Sequence, residues 1–164
     1  MQDGEQVVSD TSPLLNLALI ERLDLVRGQF STVVVPEQVW DELMDGEDGV
    51  DRLRSVHDDG LLEIVTVEDT PLFAEFRRDL DIGEAAALAY AIDADADLVL
   101  MDEREARQTA RRHELPITGV IGILLRGSKE GTVSLRTELD RLRDVGFWIA
   151  DDLYETVLEQ EHDL

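Results

Sequence analysis

Short runs of β-branched residues alternate with stretches of helical periodicity along this chain, and that alternation leaves few folds open. Val7-Val8, Val33-Val34-Val35, residues 61–67, Leu98-Val99-Leu100-Met101 and Ile117-Thr118 read as strands. Helical patterns fill the intervals: 12–17, 19–26, 36–44, 50–57, 71–78, 81–93, 103–113, 120–128, 135–144 and 151–161. Ser12-Pro13 reads as the cap and first residue of the first helix, and Pro36 opens the third. Strands alternating with helices pair in parallel and carry helices on both faces. The expected fold is therefore α/β: three α/β/α layers around a mostly parallel sheet of four to five strands. Residues 1–164 are expected to form one domain, with 131–164 as its helical C-terminal part.

The composition supports such a fold and excludes several functions. Roughly a third of the 164 residues are Leu, Ile, Val or Phe, enough for a core that needs no staple. There is no cysteine, so disulfides, thiolate zinc sites and cysteine nucleophiles are excluded. The longest apolar stretches, 14–20 and 119–125, fall far short of the roughly 18 residues that span a bilayer. The opening Met-Gln-Asp-Gly-Glu lacks the basic region of a secretory signal, so a cytoplasmic protein is expected.

Acidic residues outnumber basic ones 38 to 15, for a net charge of −23, and Lys129 is the single lysine. Many carboxylates with almost no lysine suit a halophilic cytoplasm, where salt screens repulsion within a few ångströms. An ordinary acidic protein from a GC-rich genome is the alternative.

Ligand sites of open parallel sheets gather at the carboxyl ends of the strands. Asp10 ends the first strand and Asp102 the fourth, so both project at one edge. Glu42 lies on the helix after the second strand. Glu84 follows Asp81 by three residues, on one helix face. Such carboxylates repel one another and persist most easily around a hard divalent cation, for which oxygen donors suit Mg²⁺ or Mn²⁺. Each acid also has a structural reading. Asp10 can end a strand, and Asp81–Glu84 and Asp102–Glu105 both fit capping boxes. Asp41 flanks the apolar stripe of its helix as well as Glu42 does.

These residues carry a family resemblance. Val8-Ser9-Asp10-Thr11-Ser12-Pro13-Leu14 resembles the first motif of the PIN-domain nucleases, and Pro36-Glu37-Gln38-Val39-Trp40-Asp41-Glu42-Leu43 their second. Asp81-Ile82-Gly83-Glu84-Ala85 resembles the third, in the D-x-G-E-A form of a branch long catalogued as a domain of unknown function. Leu98-Val99-Leu100-Met101-Asp102-Glu103-Arg104 and Ile117-Thr118-Gly119-Val120 resemble the fourth motif and its sequel. The ordered set covers nearly the whole chain.

The resemblance implies a PIN-like fold, with Asp10, Glu42, Glu84 and Asp102 as the acidic quartet that binds Mg²⁺ or Mn²⁺. It selects Glu42 over Asp41, gives Ser12 a supporting role and leaves Asp81 as a possible further ligand. Many PIN toxins carry aspartate at the third position, so Glu84 departs from the pattern. The implied chemistry is hydrolysis of RNA by metal-activated water, leaving a 5′-phosphate. Many relatives are VapC-type toxins held by a small antitoxin protein, and they commonly form homodimers.

An enzyme acting on RNA needs cations, and this chain places them unevenly. Residues 104–129 hold six basic residues against two acidic ones, a window of +4. Arg104, Arg107 and Arg111 share one helix face, and Arg104 and Arg107 lie nearest Asp102, as candidate phosphate contacts. Surface ion pairing is their structural reading. Residues 122–129 fail as a phosphate loop because Ser and Lys stand in the wrong order and the middle is an apolar helix. His57, His113 and His162 lack metal-ligand spacing, and His113 reads as a helix end. Trp40 and Trp148 read as core or interface anchors, and 147–149 as an edge strand or dimer contact. Two further readings fit the same residues. One is a non-cleaving PIN-fold regulator that binds RNA or protein; the other is a receiver-like phosphoryl-handling domain, which needs a second acid beside Asp10 and a nearby lysine.

Overall fold

The computed structural model describes residues 5–162. Five strands, β1 (Val7–Ser9), β2 (Val33–Pro36), β3 (Leu62–Val65), β4 (Leu98–Leu100) and β5 (Ile117–Thr118), form one sheet in the order β3-β2-β1-β4-β5. Every pairing is parallel, with Ser9 opposite Leu100 and Val8 opposite Val34. The helices are α1 (Thr11–Leu19), α2 (Leu23–Gln29), α3 (Glu37–Asp45), α4 (Val50–Asp58), α5 (Pro71–Phe76), α6 (Ile82–Asp93), α7 (Arg104–Arg112), α8 (Val120–Lys129), α9 (Leu135–Asp144) and α10 (Asp151–Gln160).

The strands are mostly apolar, with Glu63 on the edge strand β3 the one charged residue, because both faces of the sheet are covered. Side chains alternate across a strand, and the core divides accordingly. Val7, Val33, Val35 and Leu100 enter a cluster with Leu14, Leu17, Leu43, Leu53, Leu124, Leu139 and Val157, drawn from α1, α3, α4, α8, α9 and α10. Val8, Val34, Val99 and Met101 enter the opposite cluster, with Phe73, Ala86, Leu88 and Ala106 from α5, α6 and α7. The three-layer α/β/α arrangement follows from that division. The alanines of α6 are fully buried, so this helix lies close against the sheet.

Several local expectations are corrected. The first helix begins at Thr11, not at a Ser12 cap, because Asp10 occupies the cap position and the Ser12 hydroxyl is engaged elsewhere. The second begins at Leu23 rather than residue 19, because the chain reverses at Glu21 with φ of 61°. Residues 147–149 form no strand, and Trp148 is 82 % exposed rather than a core anchor. Trp40 does pack against the core, with its ring 4.9 Å from that of His57. His113 caps the end of α7 as expected. Among the described residues no helix is long and apolar enough to cross a membrane.

Candidate active site

The carboxyl edge of the sheet assembles four acids from four segments. Asp10 leaves β1 and stands at the cap position of α1, buried, with its backbone N–H donating to the Leu100 carbonyl at 3.0 Å. That bond fixes Asp10 beside the end of β4, two residues before Asp102. Burial pushes the Asp10 carboxyl up to about 8. The Thr11 N–H opposes that rise, and the charges of Glu84, Asp81 and Glu42 add to it.

Glu42 reaches the same place from α3, where its Oε2 accepts the Thr11 hydroxyl at 2.9 Å. Gly83 makes the approach possible. A Cβ built there would stand 3.1 Å from Glu42 Oε2 and 3.5 Å from Asp10 Oδ1, so both oxygens crowd one backbone atom of α6. The sequence carries two signals of this contact, Gly83 in the first turn of α6 and the threonine between Asp10 and Ser12.

Asp81 and Glu84 form the anticipated capping box. Glu84 N–H donates to Asp81 Oδ1 at 2.8 Å, and Asp81 N–H donates to Glu84 Oε1 at 3.2 Å. Glu84 is buried, which pushes its carboxyl up to about 6; the Asp81 N–H lowers it, and Asp81, Glu103 and Glu42 raise it.

Asp102 does not form a capping box with Glu105. Glu103 occupies the cap position of α7, and Asp102 instead serves the start of α8, where Oδ1 accepts the Val120 N–H at 2.9 Å. Its Oδ2 accepts the Ser12 hydroxyl at 3.1 Å, while Asn16 donates to Ser12. Burial raises the Asp102 carboxyl, against the lowering effects of Val120, Ser12 and Arg107. A Cβ at Gly119 would collide with Asp102 Oδ1 and come within 3.0 Å of Arg107 Nη1, so this glycine too gives an acid its room.

Arg107 Nη1 donates to the Met101 carbonyl at 3.0 Å, bracing the end of β4. Arg104 is exposed on the first turn of α7. Seven arginines elsewhere form ion pairs: Arg22, Arg27, Arg52, Arg54, Arg126, Arg141 and Arg143. None of the four on α7 has one among the described residues.

The donor set is entirely oxygen; Asp10 and Glu84 are buried, Asp102 is half-buried and Glu42 is exposed. Among the described residues, Asp10, Glu42, Glu84 and Asp102 have no cation within ion-pair distance. That chemistry fits a hard divalent ion. As the side chains stand, no three of the described Asp, Glu or His residues converge closely enough to hold one, so binding an ion would have to draw them together. Part of Glu84 is meanwhile engaged by its own helix cap.

The all-parallel sheet with helices on both faces defines an α/β protein, and open sheets of this kind commonly bind ligands at the carboxyl ends of their strands. A PIN-domain family model matches residues 6–163, and the chain belongs to that family. PIN domains are generally nucleases and typically use divalent metal ions, which places this chain with nuclease-type hydrolases that act on nucleic acid. No protein in a curated set matched the chain.

Proposed function

We propose that this protein is a metal-dependent endoribonuclease. The observation that carries the reading is Asp10, a carboxyl buried at the end of β1 whose Oδ1 lies with Glu42 Oε2 against Gly83 of α6, with no cation at ion-pair distance among the described residues. The arrangement is costly without a cation and favourable with one. Asp10, Glu42, Glu84 and Asp102 would hold Mg²⁺ or Mn²⁺, with Asp81 as a possible further ligand. A divalent ion bound there supplies Lewis acidity and an activated water for phosphodiester hydrolysis.

The chain's own residues do the rest. Ser12 holds Asp102 through its hydroxyl, and Thr11 holds Glu42 in the same way. Arg107 steadies the strand end that presents Asp102. Arg104 meets the incoming phosphate backbone in a protein otherwise too acidic to attract one. We read residues 1–164 as one functional unit, since α9 and α10 contribute to the same core cluster as β1 and β2. The toxin role, the small antitoxin partner and the homodimer follow from the family resemblance, and the cytoplasmic location and halophilic setting from the composition and the N-terminal residues.

A non-cleaving PIN-fold regulator is the second reading, favoured by the lack of convergence of the acids as they stand. The receiver-like reading loses its lysine. Lys129 ends the ten-residue α8 whose first residue meets Asp102, which puts it about 14 Å along the helix.

RNA cleavage in Mg²⁺ or Mn²⁺ tests the proposal, comparing wild type with Asp10→Asn and Asp102→Asn. Metal-dependent cleavage lost in both variants supports it. Absent cleavage, or cleavage indifferent to both substitutions, sinks it, and retained RNA binding would then favour the regulator.

A further inference from the structure

A groove of about 630 Å³ opens at Asp102 and runs from there to the segment between α9 and α10, which the acidic cluster does not use. Arg104 and Arg107 line it from α7, Gly119 and Gly122 from the start of α8, and Trp148 and Leu153 from the C-terminal segment. Its volume lies in the range of ligand sites. We infer that this groove seats a single-stranded segment of nucleic acid running out of the acidic site, with the Trp148 indole as a platform on which a base stacks. The inference rests on the nuclease reading and extends it to a substrate-binding surface.

Trp148 is the most exposed large apolar side chain of the described residues, at 82 %. Its exposure is not that of a loose loop. On one side Phe147 N–H donates to the Leu142 carbonyl at 3.0 Å. On the other, Ile149 is buried, and its carbonyl accepts from Arg143 at 2.8 Å. Arg143 also pairs with Asp151 at 3.2 Å and lies 4.3 Å over the Tyr154 ring. The segment between α9 and α10 is therefore pinned on both sides while the indole faces outward.

The mixed lining selects the occupant. One part offers the exposed Arg104 guanidinium, which has no ion pair among the described residues, beside Arg107, which is held by the Met101 carbonyl. Another offers a flat aromatic surface and aliphatic neighbours. An anionic backbone carrying planar bases matches both, and stacking of this kind tolerates any base. The groove is also continuous with Asp102, so a strand lying in it leads toward the carboxylates. A purely apolar protein segment would leave the exposed Arg104 guanidinium unanswered.

Trp40→Phe makes Trp148 the sole tryptophan and hence an optical reporter. A fluorescein-labelled octamer of riboadenylate is titrated against this variant, with Ca²⁺ in place of Mg²⁺. The expected result is quenching of the Trp148 emission on binding. Trp148→Ala should weaken binding by about 5- to 100-fold, while Trp148→Phe stays within about threefold of the parent. Arg104→Gln should flatten the salt dependence of binding. An equal response to the deoxyadenylate octamer keeps the inference and widens it to any single strand.

Unquenched emission together with unchanged affinity in Trp148→Ala overturns it. So does a dimer that becomes monomeric in Trp148→Ala, which would make this face an interface between copies. If Trp148→Ala binds and cleaves RNA normally, the groove is dismissed and the nuclease reading survives. If wild type neither binds the octamer nor cleaves RNA, both fall.

Discussion

Replacing Asp10 with asparagine should make the metal-free protein more stable. The wild-type carboxyl has a native pKa of about 8 against 3.8 in the unfolded chain, chiefly through burial. A carboxyl raised in this way binds more protons in the native state across that interval. Its contribution to stability is therefore complete below about pH 4 and is lost as pH rises toward about 8. At pH 7 the linkage costs about 4 kcal/mol by the proton uptake alone. Asparagine is nearly isosteric, stays neutral, and its amide oxygen can still accept the Thr11 N–H.

The expected gain at pH 7 in EDTA is about 2–4 kcal/mol, allowing for local relaxation around the ionised form. For a domain of this size that is roughly 5–15 °C in Tm. Thermal unfolding of both proteins from pH 4 to 8, at constant high KCl, reads the effect. The two curves should meet near pH 4 and separate as pH rises. Added Mg²⁺ should raise the wild type and leave Asp10→Asn nearly unmoved, reversing or closing the gap. A variant that is less stable at every pH, or one that keeps the wild-type slope, would refute the account of Asp10 as a desolvated carboxylate awaiting a cation.

Ser12→Ala removes the hydroxyl that steadies Asp102 and should lower cleavage about threefold to tenfold, at a stability cost near 1 kcal/mol. The acid limb of its pH–rate profile should move upward, because that hydroxyl favours the ionised carboxylate. Gly119→Ala places a methyl group against Asp102 and Arg107, and should cost about 1–3 kcal/mol in urea unfolding along with most of the activity. With −23 formal charges to screen, Tm should climb between 0.1 and 2 M KCl, and a flat response would remove the halophilic reading.

What could be read from the residues was whatever is decided locally. Val33-Val34-Val35 announces a strand covered on both faces because each valine is apolar whichever way it points, and the two core clusters divide them in that manner. The Asp81–Glu84 box is an i, i+3 interaction contained in one helical turn, and it forms as the spacing predicts. Asp102–Glu105 has the same spacing and does not form. The Asp102 carboxylate is taken by Val120 and Ser12, 18 and 90 residues away, and no local pattern registers such competitors. Glu42 and Asp41 were equivalent by periodicity and separated only by resemblance. In the fold, Glu42 meets Thr11 and Gly83 because α1, α3 and α6 start at one sheet edge.

The alternation of strands and helices, the parallel sheet and the residues available for a site were determined by the sequence, since periodicity and capping act over a few residues. Which acids lose their water, which are held by which donors, and whether Trp148 lies in the core or faces outward were decided by tertiary structure. Burial and electrostatic fields depend on segments far apart in the chain, so they exist only once those segments have packed together.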